Sequence, residues 1–325
     1  MEIFKTAKIY DFMGKKVPLL AVSTILVILS VVSLFTKGLN FGIDFAGGTV
    51  IQVKYEKEAP ISEIRDILKN TKYSNAAITK FGSDEEIVIR ITGTTSSLGV
   101  DIGEEMKNIL AQTGKLEIRR VDMVGAKVGD ELTHKGLMAL LLSFVGILIY
   151  VAVRFDWKFA LVSILSLLHD VVIAIGAVSF AQVEVNLDVL AAILTLLGYS
   201  LNDTIIIFDR IRERVQISKE NDLDELINES VSRTLPRTSL TALTVFFTVY
   251  TLYAFGGEII HGFAFTMLVG VIFGTYSSIF VASALLVPLK FSVAKYREKE
   301  AEKVRLKKKK REIELCLNKE EFRFI

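Results

Sequence analysis

The sequence predicts an integral membrane α-helical bundle of six transmembrane helices, with a small α/β domain inserted between the first helix and the second. Three observations predict it. Of the 325 residues, 51% are apolar and 23% are charged, yet the two populations lie in separate blocks; a soluble chain of this length would interleave them. Six stretches reach or approach the about 20 apolar residues that a helix needs to cross a ~30 Å hydrocarbon core. A long polar insert separates the first two stretches and alternates between strand and helix periodicity.

The stretches are residues 17–36, 136–153, 159–183, 189–208, 238–255 and 262–289. The first two carry no charge, the third is interrupted by His169 and Asp170, and the fourth by Asp203. The sixth is long enough to tilt or to run past the bilayer. The first has the basic flank of a signal peptide (Lys15, Lys16) but is long and lacks an A-x-A cleavage pattern, so it reads as an uncleaved anchor.

Orientation follows from lysine and arginine. Residues 1–16 carry Lys5, Lys8, Lys15 and Lys16; the turn after the second span carries Arg154 and Lys158. The 209–237 loop carries Arg210, Arg212, Arg214 and Lys219, and the 290–325 tail carries the basic run 307–311. Loops 182–188 and 256–262 contain neither residue type. Both termini are therefore expected in the cytoplasm, and residues 37–135 outside, in the periplasm of a bacterium with an outer membrane. Arg210, Arg212 and Arg214 read as solvated anchors. The tail reads as solvated or lipid-facing, and without stacking aromatics it does not suggest nucleic acid.

Within the insert, residues 49–55 are strand-like, and Ile61, Ile64, Ile67 and Leu68 fall at helical spacing. Residues 76–81 form a short strand, Gly82-Ser83-Asp84 a turn, and 86–92 a strand alternating Ile87, Ile89 and Ile91. A second helix over 102–112 and a last strand over 115–124 complete β-α-β-β-α-β, the ferredoxin-like split unit. That fold alone assigns no function.

Chemistry-bearing clusters are few. The single cysteine, Cys316, excludes a disulfide framework, and the three histidines (His134, His169, His261) lack metal-ligand spacing, so no cofactor or metal is expected. Asp84, Glu85 and Glu86 read as a solvated turn. Residues 42–48 are glycine-rich but lack the lysine and following helix of a phosphate loop, and read as glycines that let the backbone bend beside the membrane. No catalytic constellation points to an enzyme.

The informative residues lie inside the apolar stretches, where a charge costs about 2.5–3.5 kcal/mol on insertion scales and faces the bundle interior. Asp203, next to Asn202, lies in the expected cytoplasmic half of the fourth span, and His169-Asp170 in the middle of the third. Each has two readings. A structural acid hydrogen-bonds a neighbouring helix. A proton carrier is a carboxylate balanced between desolvation and a nearby cation, loading and releasing a proton as water access alternates. Arg237 is an available cation: Pro236 and Arg237 fit the first turn of the fifth span, from which Arg237 either reaches toward Asp203 or anchors the interface. Thr238, Thr241, Thr244 and Thr248 recur at helical spacing and could bridge helices, line a hydrated path or simply pack. Gly270 and Gly274 form G-x-x-x-G, continued by Ser278 and Ala282, and read as a helix interface.

Five strings carry a resemblance: Gly42-Ile43-Asp44-Phe45-Ala46-Gly47-Gly48-Thr49; Val124-Gly125-Ala126-Lys127-Val128-Gly129-Asp130-Glu131-Leu132; His169-Asp170-Val171; Gly198 to Thr204, running on to Asp209-Arg210-Ile211-Arg212-Glu213; and Gly274 to Ser283. Over most of residues 17–290 the chain resembles the SecF branch of the SecD/SecF export family, within the resistance-nodulation-division (RND) superfamily. The resemblance implies half of an RND-type transporter in a bacterial inner membrane, with SecD as the other half. It implies association with the SecYEG channel, YajC as a candidate further partner, an unfolded preprotein as substrate, and use of the proton-motive force late in translocation. The family's intramembrane aspartate and arginine fall on Asp203 and Arg237. Thr241-Ala242 departs from the family pattern, where a second threonine is common.

Overall fold

The structure is a computed structural model that describes residues 8–92, 102–289 and 291–321. Lys5, one of the basic residues used for orientation, lies outside them. Among the described residues, six helices are long and apolar enough to cross a membrane. They include α1 (Lys16–Thr36), α5 (Ala126–Arg154), α6 (Trp157–Ala181), α7 (Leu187–Ile217) and α8 (Leu223–Phe255). The sixth begins with α9 (Glu258–Tyr276) and continues through a π-helical segment, Ser277–Ala282, into Ser283–Leu285 (α10). Helices α6, α7 and α9 form the inner layer of the bundle; α1, α5 and α8 lie outside and leave most of their apolar surface exposed.

Several helices run past the apolar stretches. Helix α5 starts at Ala126, ten residues before the expected 136, because polar residues continue its backbone ladder outside the apolar region. The expected 209–237 loop is mostly helix: α7 extends to Ile217 and α8 starts at Leu223, leaving only a short connection. The side chain of Asn186 accepts from Val189 N at 3.2 Å to cap α7, and that of Asp222 accepts from Asp224 N at 3.0 Å to cap α8. Pro236 is therefore not in a first turn but well inside α8. A proline interrupts the backbone ladder there, which membrane helices tolerate when packing supports them. Lys16 pairs with Asp224 at 2.6 Å, and Asn228 accepts from Phe12 N and Met13 N, both at 2.9 Å, tying this part of α8 to the start of α1. The tail contains helix α11 (Val293–Glu321), which carries the exposed basic run.

The three surface arginines are not free anchors. Arg214 pairs with Glu229 of α8 at 2.6 Å, and Arg210 with Glu213 at 2.5 Å. Arg212 donates to the Tyr296 hydroxyl at 2.9 Å and lies over the Phe155 ring. Arg297 of α11 donates to Val215 O at 2.6 Å and so occupies a carbonyl in the last turn of α7.

The α/β domain comprises β2 (Gly48–Tyr55), α3 (Ile61–Lys69), β3 (Ala77–Phe81), β4 (Ser83–Thr92), α4 (Ile102–Leu110) and β5 (Leu116–Val124). Its strands order as β3-β4-β2-β5, every neighbour antiparallel, the order of the split βαβ unit. Asp84, Glu85 and Glu86 belong to β4; Lys80 pairs with Asp84 at 2.5 Å, and Glu86 accepts from Gln52 at 2.8 Å. Ile51, Val53, Ile64, Leu68, Ile87, Ile89, Met106 and Leu110 bury one face of the sheet against both helices. The core of the bundle is separate and includes Phe159, whose ring lies 5.1 Å from those of Phe208 and Phe291.

Candidate functional site

The glycine stripe of α9 sets the geometry of the bundle interior. A Cβ on Gly270 would lie 2.6 Å from Leu196, and one on Gly274 would lie 3.3 Å from the Cβ of Ser200. Glycine here lets α9 close on α7, as in small-residue packing between membrane helices. Ser200 and the serines that follow Gly274 thereby meet Asp170 of α6.

Asp170 is fully buried and surrounded by donors. Ser200 donates to Oδ2 at 2.5 Å and Ser277, in the π-helical segment, donates to the same oxygen at 2.8 Å. His169 Nδ1 lies 2.9 Å from Oδ1, and its Nε2 lies 2.5 Å from the hydroxyl of Ser23. One acid thus links α1, α6, α7 and the sixth span. Just below, Thr204 and Ser278 hydroxyls meet at 2.9 Å. Ser23, Ser200 and Ser277 were not singled out in the sequence. The signal for the first was available, since Ser23, Ser30 and Ser33 share a helix face and all three are buried.

Asp203, one turn below Ser200 on α7, is equally buried but meets none of this. Neither of its oxygens has a hydrogen-bond partner among the described residues. No ion pair within 4.0 Å joins it to Arg237 among the described residues. Arg237 and Asn202 both lie exposed on the surface of the chain. Thr241, Thr244 and Thr248 donate to carbonyls of their own helix, Arg237 O at 2.9 Å, Thr241 O at 2.8 Å and Thr244 O at 2.9 Å. They bridge no helices among the described residues. The structure therefore brings His169 and Asp170 into direct contact, leaves Asn202 exposed next to buried Asp203 on α7, and sets Thr241 one turn along α8 from Arg237.

At the domain end, the chain after α1 is stitched to the α6–α7 turn. Strand β1 (Asn40–Phe41) pairs in parallel with β6 (Glu184–Val185). Short helix α2 (Ile43–Ala46) then packs on the start of α5. Gly47, at φ 69°, would place a Cβ 2.9 Å from Ala126 Cα, so the glycine-rich string serves a close crossing of backbones. Glu184 pairs with Arg90 of β4. Burial pushes the Glu184 carboxyl above the ordinary carboxylate range; the Arg90 guanidinium pulls it back, and Asp44 adds to the rise. Among the described residues no cluster of histidine, cysteine and acids could hold a metal.

Comparison with known proteins agrees with this architecture. Residues 105–292 match the family model described as protein export membrane protein SecD/SecF, C-terminal, and residues 32–59 match that of the SecD/SecF GG motif. The chain is 46% identical over 306 residues to the protein translocase subunit SecF of Helicobacter pylori strain J99, covering 94% of this chain and 95% of that one. It is 37% identical over 285 residues to the SecF subunit of Escherichia coli O157:H7, covering 87% and 88%. Among solved structures it matches SecDF from Thermus thermophilus, a translocon-associated membrane protein, with a TM-score of 0.80 at 34% identity. That match covers 89% of this chain but 40% of the SecDF chain. SecDF in its super-membrane-facing form matches with a TM-score of 0.66. By sequence and by fold, the chain belongs to the SecD/SecF family of protein export membrane proteins.

Proposed function

We propose that the chain is an accessory subunit of the Sec translocase that, with a SecD partner, uses the proton-motive force to promote late stages of polypeptide translocation. Asp203 is its proton-loading group. One observation carries this reading: of two buried acids, Asp203 is the one without a donor. Burial without compensation penalises a carboxylate, so the group gains and loses a proton as its surroundings change. In this reading Arg237, on α8, is the cation that favours the charged form. Protonation of Asp203 removes that attraction and shifts the bundle. One charge crossing the membrane supplies about 2.3 kcal/mol per 100 mV, which biases a two-state equilibrium well over tenfold.

The exposed faces support a membrane partner. Asn202, Arg237, Thr244 and Thr248 lie on the surface of the isolated chain together with Leu243, Phe247 and Tyr250. Arginine and asparagine facing hydrocarbon are costly, so a second subunit covering α7 and α8 accounts for them. SecD fits, being joined in one chain to the matched region in the SecDF relative. The lysine and arginine distribution supports cytoplasmic termini and an α/β domain outside the inner membrane. SecYEG, YajC and an unfolded preprotein follow as partners from the family.

The test is Asp203→Asn in the assembled complex. Partner copurification is expected to persist while proton-dependent export and proton flux are lost. Full proton-dependent export would overturn the motor and leave a passive assembly subunit.

A further inference from the structure

The α/β domain and the bundle have separate apolar cores, with no residue in common. Between the sheet and the α6–α7 turn lies a cleft of about 730 Å³, lined in part by Gln52, Arg120, Asp122 and Asp188. Motion of the helices therefore reaches the domain through connecting backbone and a few polar contacts.

These contacts converge on the N-terminus of α7, the helix that carries Asp203. Asp44 Oδ2 accepts from Leu187 N at 3.0 Å, in the first turn of α7. Gly42 N donates to Val185 O at 2.8 Å, and Asn40 Nδ2 to Gln182 O at 3.3 Å. Glu184 then reaches across to Arg90, at a position of β4 flanked by Val50 of β2 and Ala77 of β3. Space for its carboxylate depends on Gly42, since a Cβ there would lie 2.6 Å from Glu184 Oε1. Both side chains are mostly covered, at 31% and 17% exposure. Asp203 lies sixteen residues along α7 from Leu187, about 24 Å at 1.5 Å per residue.

We infer that Arg90 and Glu184, with Asp44 capping α7, form an ionic latch that ties the central strands of the domain to the helix bearing Asp203 and transmits its movement. Arg90 and Glu184 are positioning residues: they touch neither proton nor polypeptide. The inference rests on the reading of Asp203 as the proton carrier, and the latch can fail independently of it.

The experiment uses the full chain coexpressed with SecD. Arg90→Glu and Glu184→Lys each set like charges across the contact. Each is expected to lower proton-dependent export about fivefold or more, the low end of coupling between sites, with SecD copurification and proton flux retained. Spin labels on Glu117→Cys and Phe180→Cys, in a Cys316→Ser background, are expected to show a broadened domain-to-bundle distance. The double variant Arg90→Glu/Glu184→Lys is expected to restore export and distance. Unchanged export and distances in the single variants overturn the latch. Loss in the single variants with no recovery in the double overturns the pairing, because the residues then act only on folding. An Asp203→Asn control that keeps full proton-dependent export overturns the motor reading and, with it, the coupling role of the latch.

Discussion

Asp170 and Asp203 are both 1% exposed, on adjacent inner helices, and their surroundings are opposite. Asp170 takes two serine hydroxyls and a histidine ring, while Asp203 takes no donor among the described residues. Burial alone therefore does not identify a working acid in a membrane bundle. What separates a structural carboxylate from a titrating one is how completely its charge is compensated. The π-helical segment reinforces the difference: it brings Ser277 onto Asp170 and Ser278 onto Thr204, and neither serine bonds Asp203.

The largest expected effect that sharpens this contrast is on export. Asp203→Asn is expected to abolish the proton-dependent part while leaving the unfolding midpoint in detergent unchanged or raised, because an uncompensated buried charge is removed. Asp170→Ala is expected to do the reverse. It deletes three hydrogen bonds and should lower stability by about 2 kcal/mol, taking about 0.6 kcal/mol for each intramembrane bond, as read by thermal unfolding of the solubilised complex. If Asp203→Asn proves the more destabilising, the contrast breaks. Gly270→Val presses on Leu196 and is expected to cost about 1–3 kcal/mol by overpacking, lowering export only as far as assembly falls. Thr241→Val removes a hydroxyl that donates within its own helix; a stability change under about 0.6 kcal/mol and unaltered proton flux are expected. A marked loss of flux would make that hydroxyl part of the proton path. Glu184→Gln neutralises the contact with Arg90 without reversing it, and is expected to broaden the spin-label distance by less than Glu184→Lys does.

Much of the fold was legible because the bilayer simplifies the code. A run such as 17–36 has no soluble use for its apolar length, and Ile87, Ile89 and Ile91 alternate on one face as a half-buried strand must. Helix ends were less legible. Ala126 and Leu223 start their helices in polar sequence, where hydropathy carries no signal; at Leu223 the side chain of Asp222 caps the first turn. Pro236 marked a helix start by local preference, yet tertiary contacts of Lys16 and Asn228 hold the preceding turns helical. Arg212 and Arg214 looked like solvated anchors because their partners, Tyr296 and Glu229, lie on other helices.

The candidate site divides in the same way. Which residues carry charge inside the membrane was readable from the chain alone, since Asp170 and Asp203 interrupt runs that tolerate no other reading. Whether either is compensated was not, because the hydrogen-bond partners of Asp170 and its histidine are Ser23, Ser200 and Ser277, at separations of up to 146 residues. Hydropathy acts residue by residue and is written in composition, so span number and strand alternation needed only the sequence. Hydrogen-bond compensation depends on the spacing and rotation of packed helices, so only the tertiary structure decided which buried acid is surrounded by donors and which is not.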